Sequence, residues 1–281
     1  MKATLWGTRG SIPTPGPETA RYGGNTSCVH VLGDDGTQLV LDAGTGIRRL
    51  GDTFEKPTGR VDLLLSHLHM DHIQGLGFFA PLYDTDAEVH IWGPASTTQN
   101  LAERLTRYLA PPLFPVLLRD LPCDLQLHEV PCGSFQIGGF ECSADMVCHP
   151  GPTVGYRIEE DGRVLCYLSD HEPALGMESF ELEDLEPEWV SGQRLARGAD
   201  LLIHDTQYTP EEYRERTGWG HSSVDHCLTF ARLAKVKHLV AFHHDPARND
   251  DALYRVINAA AQKDGLPFRL TVGAEGDVFK L

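Results

Sequence analysis

The segment that could do chemistry most directly holds four potential metal ligands in six consecutive residues: His67, His69, Asp71 and His72. It follows the apolar run Val61–Leu65, which predicts a buried strand. Side chains two positions apart in extended backbone point the same way, so His67 and His69 can reach one metal ion. After the chain turns, Asp71 and His72 can reach a second. Imidazole and carboxylate together suit zinc, manganese or iron, so the segment predicts a site for two metal ions.

The order of these residues also resembles a family signature. His-x-His-x-Asp-His after an apolar strand is typical of the metallo-β-lactamase superfamily, and the stretch Leu39–Gly44 resembles that superfamily's strand-Asp-x-Gly element. The resemblance extends over essentially the whole chain. It implies an α/β fold, a four-layer αββα sandwich of the metallo-β-lactamase type, formed by residues 1–281 as a single domain.

The resemblance implies three further ligands, each at or just after the end of a predicted strand, where a rigid element fixes it. His149 would complete the first metal site, His243 would complete the second, and Asp170 would bridge the two metals. His244 is the alternative to His243, since only one of two adjacent histidines ligates easily. His171, beside Asp170, is interpreted as a bystander or a supporting group. The implied metal ligands are His67, His69, Asp71, His72, His149, Asp170 and His243.

Two of these positions bear on the kind of chemistry. Redox-active di-iron relatives of this fold carry a glutamate where His69 stands, so a histidine favours a hydrolytic site with two zinc ions. Beta-lactamases proper usually carry a cysteine where Asp170 stands. An aspartate there favours the phosphodiesterase, glyoxalase and lactonase branches.

Motifs near both ends of the chain narrow the branch further. The stretches Leu5–Pro13 and Tyr22–Cys28 resemble the N-terminal motifs of the ribonuclease Z and cyclic-phosphodiesterase branch. The segments Leu202–Tyr208 and Gly220–Ser223 resemble its later motifs, although Asp205 stands where the branch usually has a glutamate.

The same motifs imply which residues act on the substrate. Asp71 would hold and orient a hydroxide shared by the two metals, and this hydroxide would attack phosphorus. His221 precedes a predicted helix whose free N–H groups favour anions. It would donate to the phosphate or protonate the leaving alkoxide, a role that suits a group titrating near neutrality. The candidate substrate-binding residues are Asn25, Ser222 and Ser223.

Charge and chain length favour a small substrate. The formal net charge is −16, and such a field repels a long polyanion. Only about twenty residues separate His149 from Asp170, a region where tRNA-processing members typically carry a long basic arm. We therefore expect a phosphodiesterase acting on a cyclic phosphodiester, in particular a 3′,5′-cyclic nucleotide. The alternatives are a ribosyl cyclic-phosphate phosphodiesterase, a ribonuclease Z-like enzyme, and a lactonase or thioesterase on the same metals.

The remaining composition predicts where the protein works and with what. The seven cysteines form no CxxC pair, which indicates reduced thiols and a reducing compartment. The N-terminus lacks an apolar signal segment, and no apolar run is long enough to cross a bilayer. We expect a cytoplasmic protein with two divalent metals, zinc or else manganese, and no membrane or long nucleic-acid partner. A homodimer is implied by the resemblance alone.

Short strands and amphipathic helices must position these residues. Two helices are predicted at Ser96–Leu109, with Ser96 as the N-cap, and at Asp250–Lys263, with Asp250 as the N-cap. A third begins at Ser222 or Ser223, and the proline-rich stretch 111–131 is predicted to be a loop. The predicted strands are Ala3–Trp6, Ser27–Leu32, Gln38–Leu41, Val61–Leu65, Glu88–Trp92, Ser134–Ile137, Phe140–Ser143, Val154–Glu159, Val164–Leu168, Leu201–His204 and Lys237–Phe242.

Overall fold

Alternating and continuous apolar runs form fourteen strands within the part of the chain that the computed structural model describes, residues 1–131, 133–177, 179–263 and 265–281. All eleven strands predicted from the sequence are present. The strands are β1 (Lys2–Gly7), β2 (Cys28–Leu32), β3 (Gln38–Leu41), β4 (Arg60–Leu64), β5 (Glu88–Gly93), β6 (Asp124–Glu129), β7 (Gly133–Ile137), β8 (Phe140–Met146), β9 (Val154–Glu160), β10 (Arg163–Leu168), β11 (Leu201–Asp205), β12 (His238–Phe242), β13 (Arg269–Val272) and β14 (Val278–Lys280).

The strands form two mixed sheets of seven. The first has the order β14-β1-β2-β3-β4-β5-β6, and the second has the order β13-β12-β11-β10-β9-β8-β7. Strands β3 to β6 are parallel to one another, as are β10 to β13. The carboxyl ends of parallel strands lie at one edge of a sheet, so each sheet collects the residues that follow its parallel strands.

In the described part of the chain, seven α-helices connect the strands. The longest two follow parallel strands of the second sheet, as crossover connections between parallel strands require. The helices are α1 (Ile47–Gly51), α2 (Met70–Ile73), α3 (Leu101–Thr106), α4 (Gln193–Ala196), α5 (Pro210–Glu215), α6 (Val224–Leu233) and α7 (Asp250–Lys263).

Apolar side chains define four layers. One core lies between the sheets, where Leu5 and Val29 of the first sheet meet Phe140, Tyr167 and Phe242 of the second. A second core joins the outer face of the first sheet to α1 and α3. A third joins the outer face of the second sheet to α6 and α7. Helices therefore cover both outer faces of two packed sheets, which confirms the αββα sandwich.

The predicted start of α3 was wrong by several residues, whereas α7 has the predicted bounds and only its capping residue differs. Helix α3 begins after Asn100, not at Ser96, because Asn100 and Glu103 form a reciprocal capping box. For α7, the Asn249 side chain accepts the N–H of Ala252, and this is the capping contact. The carboxylate of Asp250 instead accepts the backbone N–H of Arg21 at 2.7 Å, which ties the N-terminal loop to the helix.

The second half of the chain and the proline-rich stretch hold strands that the sequence pattern did not predict. Strand β6 lies inside the stretch 111–131, where Leu125 and Leu127 alternate with polar residues and pair with β5. Strands β13 and β14 are short edge strands with few fully buried residues, which leaves little periodicity to detect. Among the helices that the structure describes, none combines the length and apolar character needed to cross a membrane.

Candidate metal centre

Six of the seven predicted metal ligands follow parallel strands, and the seventh, His149, follows β8, which is antiparallel to both of its neighbours. His67 and His69 lie three and five residues beyond the end of β4. Helix α2 begins at Met70, so that Asp71 and His72 lie in its single turn. Asp170 follows β10, and His243 follows β12 at once. The structure brings all seven residues predicted as ligands into two adjoining groups.

The first group consists of His67, His69 and His149, whose ligand atoms all lie within 4.8 Å of one another. His149 Nε2 is 3.1 Å from His69 Nδ1. The other nitrogen of His149 donates to the carbonyl of Gly220 at 2.8 Å, which turns Nε2 toward the group. Burial lowers the pKa of His149 to about 4, so its imidazole is neutral, the form that binds metal.

The second group consists of Asp71, His72, Asp170 and His243, all of them buried. His72 Nε2 and His243 Nε2 each lie 3.2 Å from Asp71 Oδ2. Burial alone would lower the pKa of His72, yet the surrounding carboxylates, Asp170 first, hold it well above its usual value. The same negative field favours a cation at this point.

Asp170 lies between the groups and presents one oxygen to each. Its Oδ1 is 3.0 Å from His72 Nε2 and 3.3 Å from His243 Nε2. Its Oδ2 is 3.7 Å from His67 Nε2 and 3.8 Å from His149 Nε2. Burial raises the pKa of Asp170, but the histidines around it reverse this and hold the pKa well below its usual range. The carboxylate is therefore ionised and placed to serve both groups.

The donor atoms fit a pair of metal ions. His67 Nε2, His72 Nε2 and Asp170 Oδ1 are buried, and none has a hydrogen-bond partner among the described residues. Buried polar atoms are rarely left unpaired, and one explanation is a cation that several electron-pair donors share. Imidazole nitrogens and carboxylate oxygens are the donors that zinc takes in proteins.

One buried carboxylate behind the cluster orients two of its histidines. Asp42 accepts the Ser66 backbone N–H at 2.7 Å and the Ser66 hydroxyl at 2.8 Å. It also accepts His72 Nδ1 at 2.8 Å and the Tyr167 hydroxyl at 2.7 Å. The Ser66 hydroxyl in turn lies 3.0 Å from His67 Nδ1. The strand-Asp-x-Gly element alone does not reveal this role of Asp42, because the partners of Asp42 lie far along the chain.

Asp42→Asn is expected to weaken metal binding by about 10–100-fold, the usual cost of losing a group that supports a ligand. Asp42 has a φ of 60°, a backbone conformation that asparagine tolerates, so the change removes charge with little strain. Competition with a chromogenic chelator measures the affinity. Unchanged affinity for both metals would show that Asp42 has only a structural role.

The N-terminal loop covers the second group closely. The backbone N–H of Ser11 donates to Asp71 Oδ2 at 2.8 Å, and the N–H of Gly10 donates to the carbonyl of His244 at 2.9 Å. A Cβ atom on Gly10 would lie 2.4 Å from the ring of His243. The position therefore requires glycine because another element approaches it, not because of its own backbone angles.

Gly10→Ala is expected to displace His243 and to destabilise the protein by about 1–3 kcal/mol, the typical cost of overpacking a filled interior. Urea unfolding of the metal-free variant measures that cost, and metal titration measures the disturbance of the second group. A variant with wild-type stability and wild-type metal affinity would show that the loop moves aside freely.

A histidine–aspartate pair adjoins the metal cluster. His221 Nδ1 lies 2.7 Å from Asp205 Oδ2 and 3.8 Å from Asp170 Oδ2. Burial lowers the pKa of His221, but the charge and the hydrogen bond of Asp205 outweigh this and raise it to about 9. His221 is therefore an imidazolium at neutral pH, able to attract an anion and to give up a proton.

A second buried carboxylate fixes the loop that carries His221. Glu172 is 1% exposed and accepts the backbone N–H groups of Gly218 at 2.8 Å and Gly220 at 2.7 Å. Gly220 also binds His149 through its carbonyl, so this loop joins the first metal group to the His221 pair. Glu172 was not predicted from the sequence, because the residues around it give no sign of contacts with the distant Gly218 and Gly220.

The three residues predicted to bind substrate have other partners. Ser222 is fully buried and donates its hydroxyl to the carbonyl of His171, and Ser223 caps α6 by accepting the N–H of His226. The amide of Asn25 donates to Glu275 Oε2 at 3.0 Å. Each of the three side chains thus has a hydrogen-bond partner inside the protein, and its contact with substrate stays a prediction.

Two further histidines lie close to the cluster but outside its groups. His244 donates from Nε2 to the carbonyl of Gly273 at 2.8 Å, which faces it away from Asp71 and Asp170. His171 is fully buried, with its Nδ1 2.9 Å from His204 Nε2. Of the two adjacent histidines that follow β12, the structure thus directs His243 into the second group.

Comparisons with known proteins agree with this geometry. A family model described as "Beta-lactamase superfamily domain" matches residues 37–244. Ribonuclease Z of Haloferax volcanii is 28% identical, over 86% of this chain and 84% of that protein. Ribonuclease Z of Thermococcus gammatolerans is also 28% identical, over 83% of each.

Solved structures share the same fold at lower identity. The metallo-beta-lactamase fold protein YhfI from Bacillus subtilis superposes with a TM-score of 0.71 at 18% identity, over 99% of this chain and 98% of that one. The short form of human tRNase Z superposes with a TM-score of 0.68 at 22% identity, over 100% and 99%. Since the curated relatives are named Ribonuclease Z, the comparisons lend no support to the expectation that long nucleic acids are excluded.

Proposed function

As this chain belongs to the β-lactamase superfamily and is a metal-dependent hydrolase, we propose that it hydrolyses a small cyclic phosphodiester, in particular a 3′,5′-cyclic nucleotide. His67, His69 and His149 would hold one divalent metal, and Asp71, His72 and His243 the other, with Asp170 between them. Zinc is the metal that this set of nitrogen and oxygen donors favours. When bound, the two metals supply Lewis-acid polarisation and an activated water.

The observation that carries the proposal is the position of His221 beside the cluster, with its Nδ1 2.7 Å from Asp205 Oδ2 and 3.8 Å from Asp170 Oδ2. A phosphodiester carries one negative charge, shared by its two non-bridging oxygens, and its hydrolysis expels an alkoxide that needs a proton. His221 would attract the phosphate and then protonate the departing oxygen. The Asp205 carboxylate raises the pKa of His221, which favours the protonated imidazole at neutral pH. The Asp71 carboxylate accepts the backbone N–H of Ser11 and so fixes the N-terminal loop beside the second group.

The segment between His149 and Asp170 favours a small substrate. It forms a tight hairpin of β9 and β10, with antiparallel pairing from Glu160–Arg163 down to Tyr156–Tyr167. This hairpin is part of the second sheet and adds no projecting arm. The net charge of −16 on the whole chain also disfavours the binding of a long polyanion.

A ribonuclease Z-like activity is the second candidate. Its support is the match to proteins named Ribonuclease Z over 86% of this chain. Both activities would use the same metal ligands and the same His221–Asp205 pair. They differ in whether the phosphodiester belongs to a small ring or to the 3′ region of an RNA chain.

A substrate panel separates these candidates. Zinc-loaded protein would be assayed with 3′,5′-cyclic AMP and GMP, a ribosyl cyclic phosphate, a precursor tRNA with a 3′ extension, a lactone and a thioester. We expect the highest kcat/KM with a 3′,5′-cyclic nucleotide. Cleavage of precursor tRNA with no turnover of cyclic nucleotides would replace the first proposal with the second, and turnover of only the lactone or thioester would reject both.

The same proposal includes a cytoplasmic homodimer in which residues 1–281 form one domain. The six cysteines that the structure describes are all unpaired thiols, as in a reducing compartment; Cys132 lies outside the described residues. Sedimentation equilibrium tests the dimer. A mass of 31.0 kDa at micromolar concentration would contradict it.

A further inference from the structure

An amide side chain lies behind the last histidine of the second group. Gln207 is two residues beyond the end of β11 and only 4% exposed. Its Oε1 lies 2.9 Å from His243 Nδ1, and its Nε2 lies 3.3 Å from Ser11 Oγ. Both contacts use the amide in one orientation, because Nε2 can only donate and Oε1 can only accept.

This contact decides which nitrogen of His243 carries the proton. An amide oxygen accepts, so His243 Nδ1 must donate, and a neutral imidazole then has its lone pair on Nε2. His243 Nε2 faces Asp71 Oδ2 at 3.2 Å and Asp170 Oδ1 at 3.3 Å. The lone pair is thus directed to the point where the two carboxylates meet.

The other end of the amide supports a second member of the group. Ser11, which Gln207 contacts through its hydroxyl, donates its backbone N–H to Asp71 Oδ2 at 2.8 Å. Ser11 has a φ of 62°, an uncommon conformation for serine that needs support from its surroundings. One side chain therefore supports both His243 and Asp71.

The backbone of Gln207 is itself fixed from both sides. Its N–H donates to Asp205 Oδ1 at 2.8 Å, and its carbonyl accepts from the buried Arg248 at 2.7 Å. Asp205 uses its other oxygen to hold His221. Gln207 consequently joins the His221 pair to the second metal group.

We propose that Gln207 is a positioning residue that keeps the proton of His243 on Nδ1 and holds the Ser11 loop against Asp71, so that the second metal meets ligands already oriented. This rests on the proposed assignment of His243 and Asp71 as ligands. Gln207 is a neutral counterpart of Asp42, which supports His72 with a carboxylate.

Three variants test the role. Gln207→Met has a similar length but cannot accept from Nδ1, and Gln207→Glu keeps an acceptor there. Gln38→Met is the matched control, because Gln38 Oε1 makes a similar contact, 2.6 Å to His30 Nε2, at the opposite end of β3 from Asp42. The dissociation constants of both zinc ions would be measured by chelator competition.

We expect Gln207→Met to weaken the second zinc by about 10–100-fold and to leave the first unchanged. Gln207→Glu should recover most of the affinity, and Gln38→Met should match the wild type. Equal zinc affinities in Gln207→Met and the wild type would overturn the inference. A wild-type protein that binds fewer than two zinc ions would instead reject the ligand assignment on which it rests.

A measurement on the unaltered protein keeps the inference testable should Gln207→Met not fold. Nitrogen-15 chemical shifts of the zinc-loaded wild type report the protonation of each histidine nitrogen. We expect a protonated Nδ1 and a metal-bound Nε2 for His243. Metal on Nδ1, or no proton there, would overturn the role assigned to Gln207.

Discussion

Asp170→Asn is expected to reduce phosphodiester turnover by about 10³-fold, the upper end of the range for removing one strong electrostatic contributor at a reacting centre. Asp170 Oδ1 faces the second group and Asp170 Oδ2 faces the first, so the substitution alters both proposed metal sites. An amide offers one acceptor oxygen and one NH₂ donor, and the donor would face unprotonated histidine nitrogens or a cation. We therefore expect metal content to fall together with activity.

Elemental analysis after gel filtration measures the metal content, and the assay with 3′,5′-cyclic AMP measures the activity. Asp62→Asn provides the matched control, because Asp62 is 1% exposed and accepts from Trp92 and Arg60 away from the cluster. The control should retain both metals. Full turnover in Asp170→Asn would show that this carboxylate is no ligand.

His221→Gln is expected to lower kcat by about 10²–10⁴-fold, the usual contribution of general acid–base catalysis. The glutamine keeps a hydrogen-bond donor near Asp205 but has no acidic proton to give to the leaving group. Zinc content should stay at the wild-type level, because the proposed ligand sets do not include His221. A substrate with a nitrophenolate leaving group needs little protonation, so its turnover should fall much less.

The pH dependence of the same residue follows from its partner. The pKa of His221 is raised to about 9, so the acid is protonated below that pH, and activity should decline as the pH rises through about 9. Asp205→Asn removes the carboxylate that raises this pKa. The alkaline decline should therefore move to lower pH in Asp205→Asn, and an unchanged profile would assign that decline to another group.

Much of the fold and the residues of the candidate metal centre could be predicted from the sequence, because the signals that mark them are local. Four ligands lie in one short segment after a strand, where local spacing fixes their direction, and the distant ones follow apolar strands that are easy to recognise. The central strands are buried on both faces and contain continuous apolar runs, as in Leu201–Ile203 of β11 and Leu239–Phe242 of β12. Because these strands are parallel to their neighbours, the residues that follow their carboxyl ends lie close together.

The parts that could not be predicted depend on contacts between distant segments. Asp42, Glu172 and Gln207 orient the cluster through partners in other strands and loops, and no local pattern marks such a role. The hydroxyl contacts of Ser222 with the His171 carbonyl and of Ser223 with the start of α6 were likewise not evident from the sequence. Helix α3 begins later than predicted because Asn100 and Glu103, and not Ser96, form its N-terminal cap.

The most direct test of the account is a titration of chelator-treated protein with zinc, in which turnover of 3′,5′-cyclic AMP is followed at each step. The account predicts negligible activity without metal and a rise that is complete only when two zinc ions are bound per chain. Hydrolysis without metal would contradict the assignment of the cluster as the catalytic centre. Two zinc ions bound with no cyclic nucleotide hydrolysed would contradict the proposed substrate.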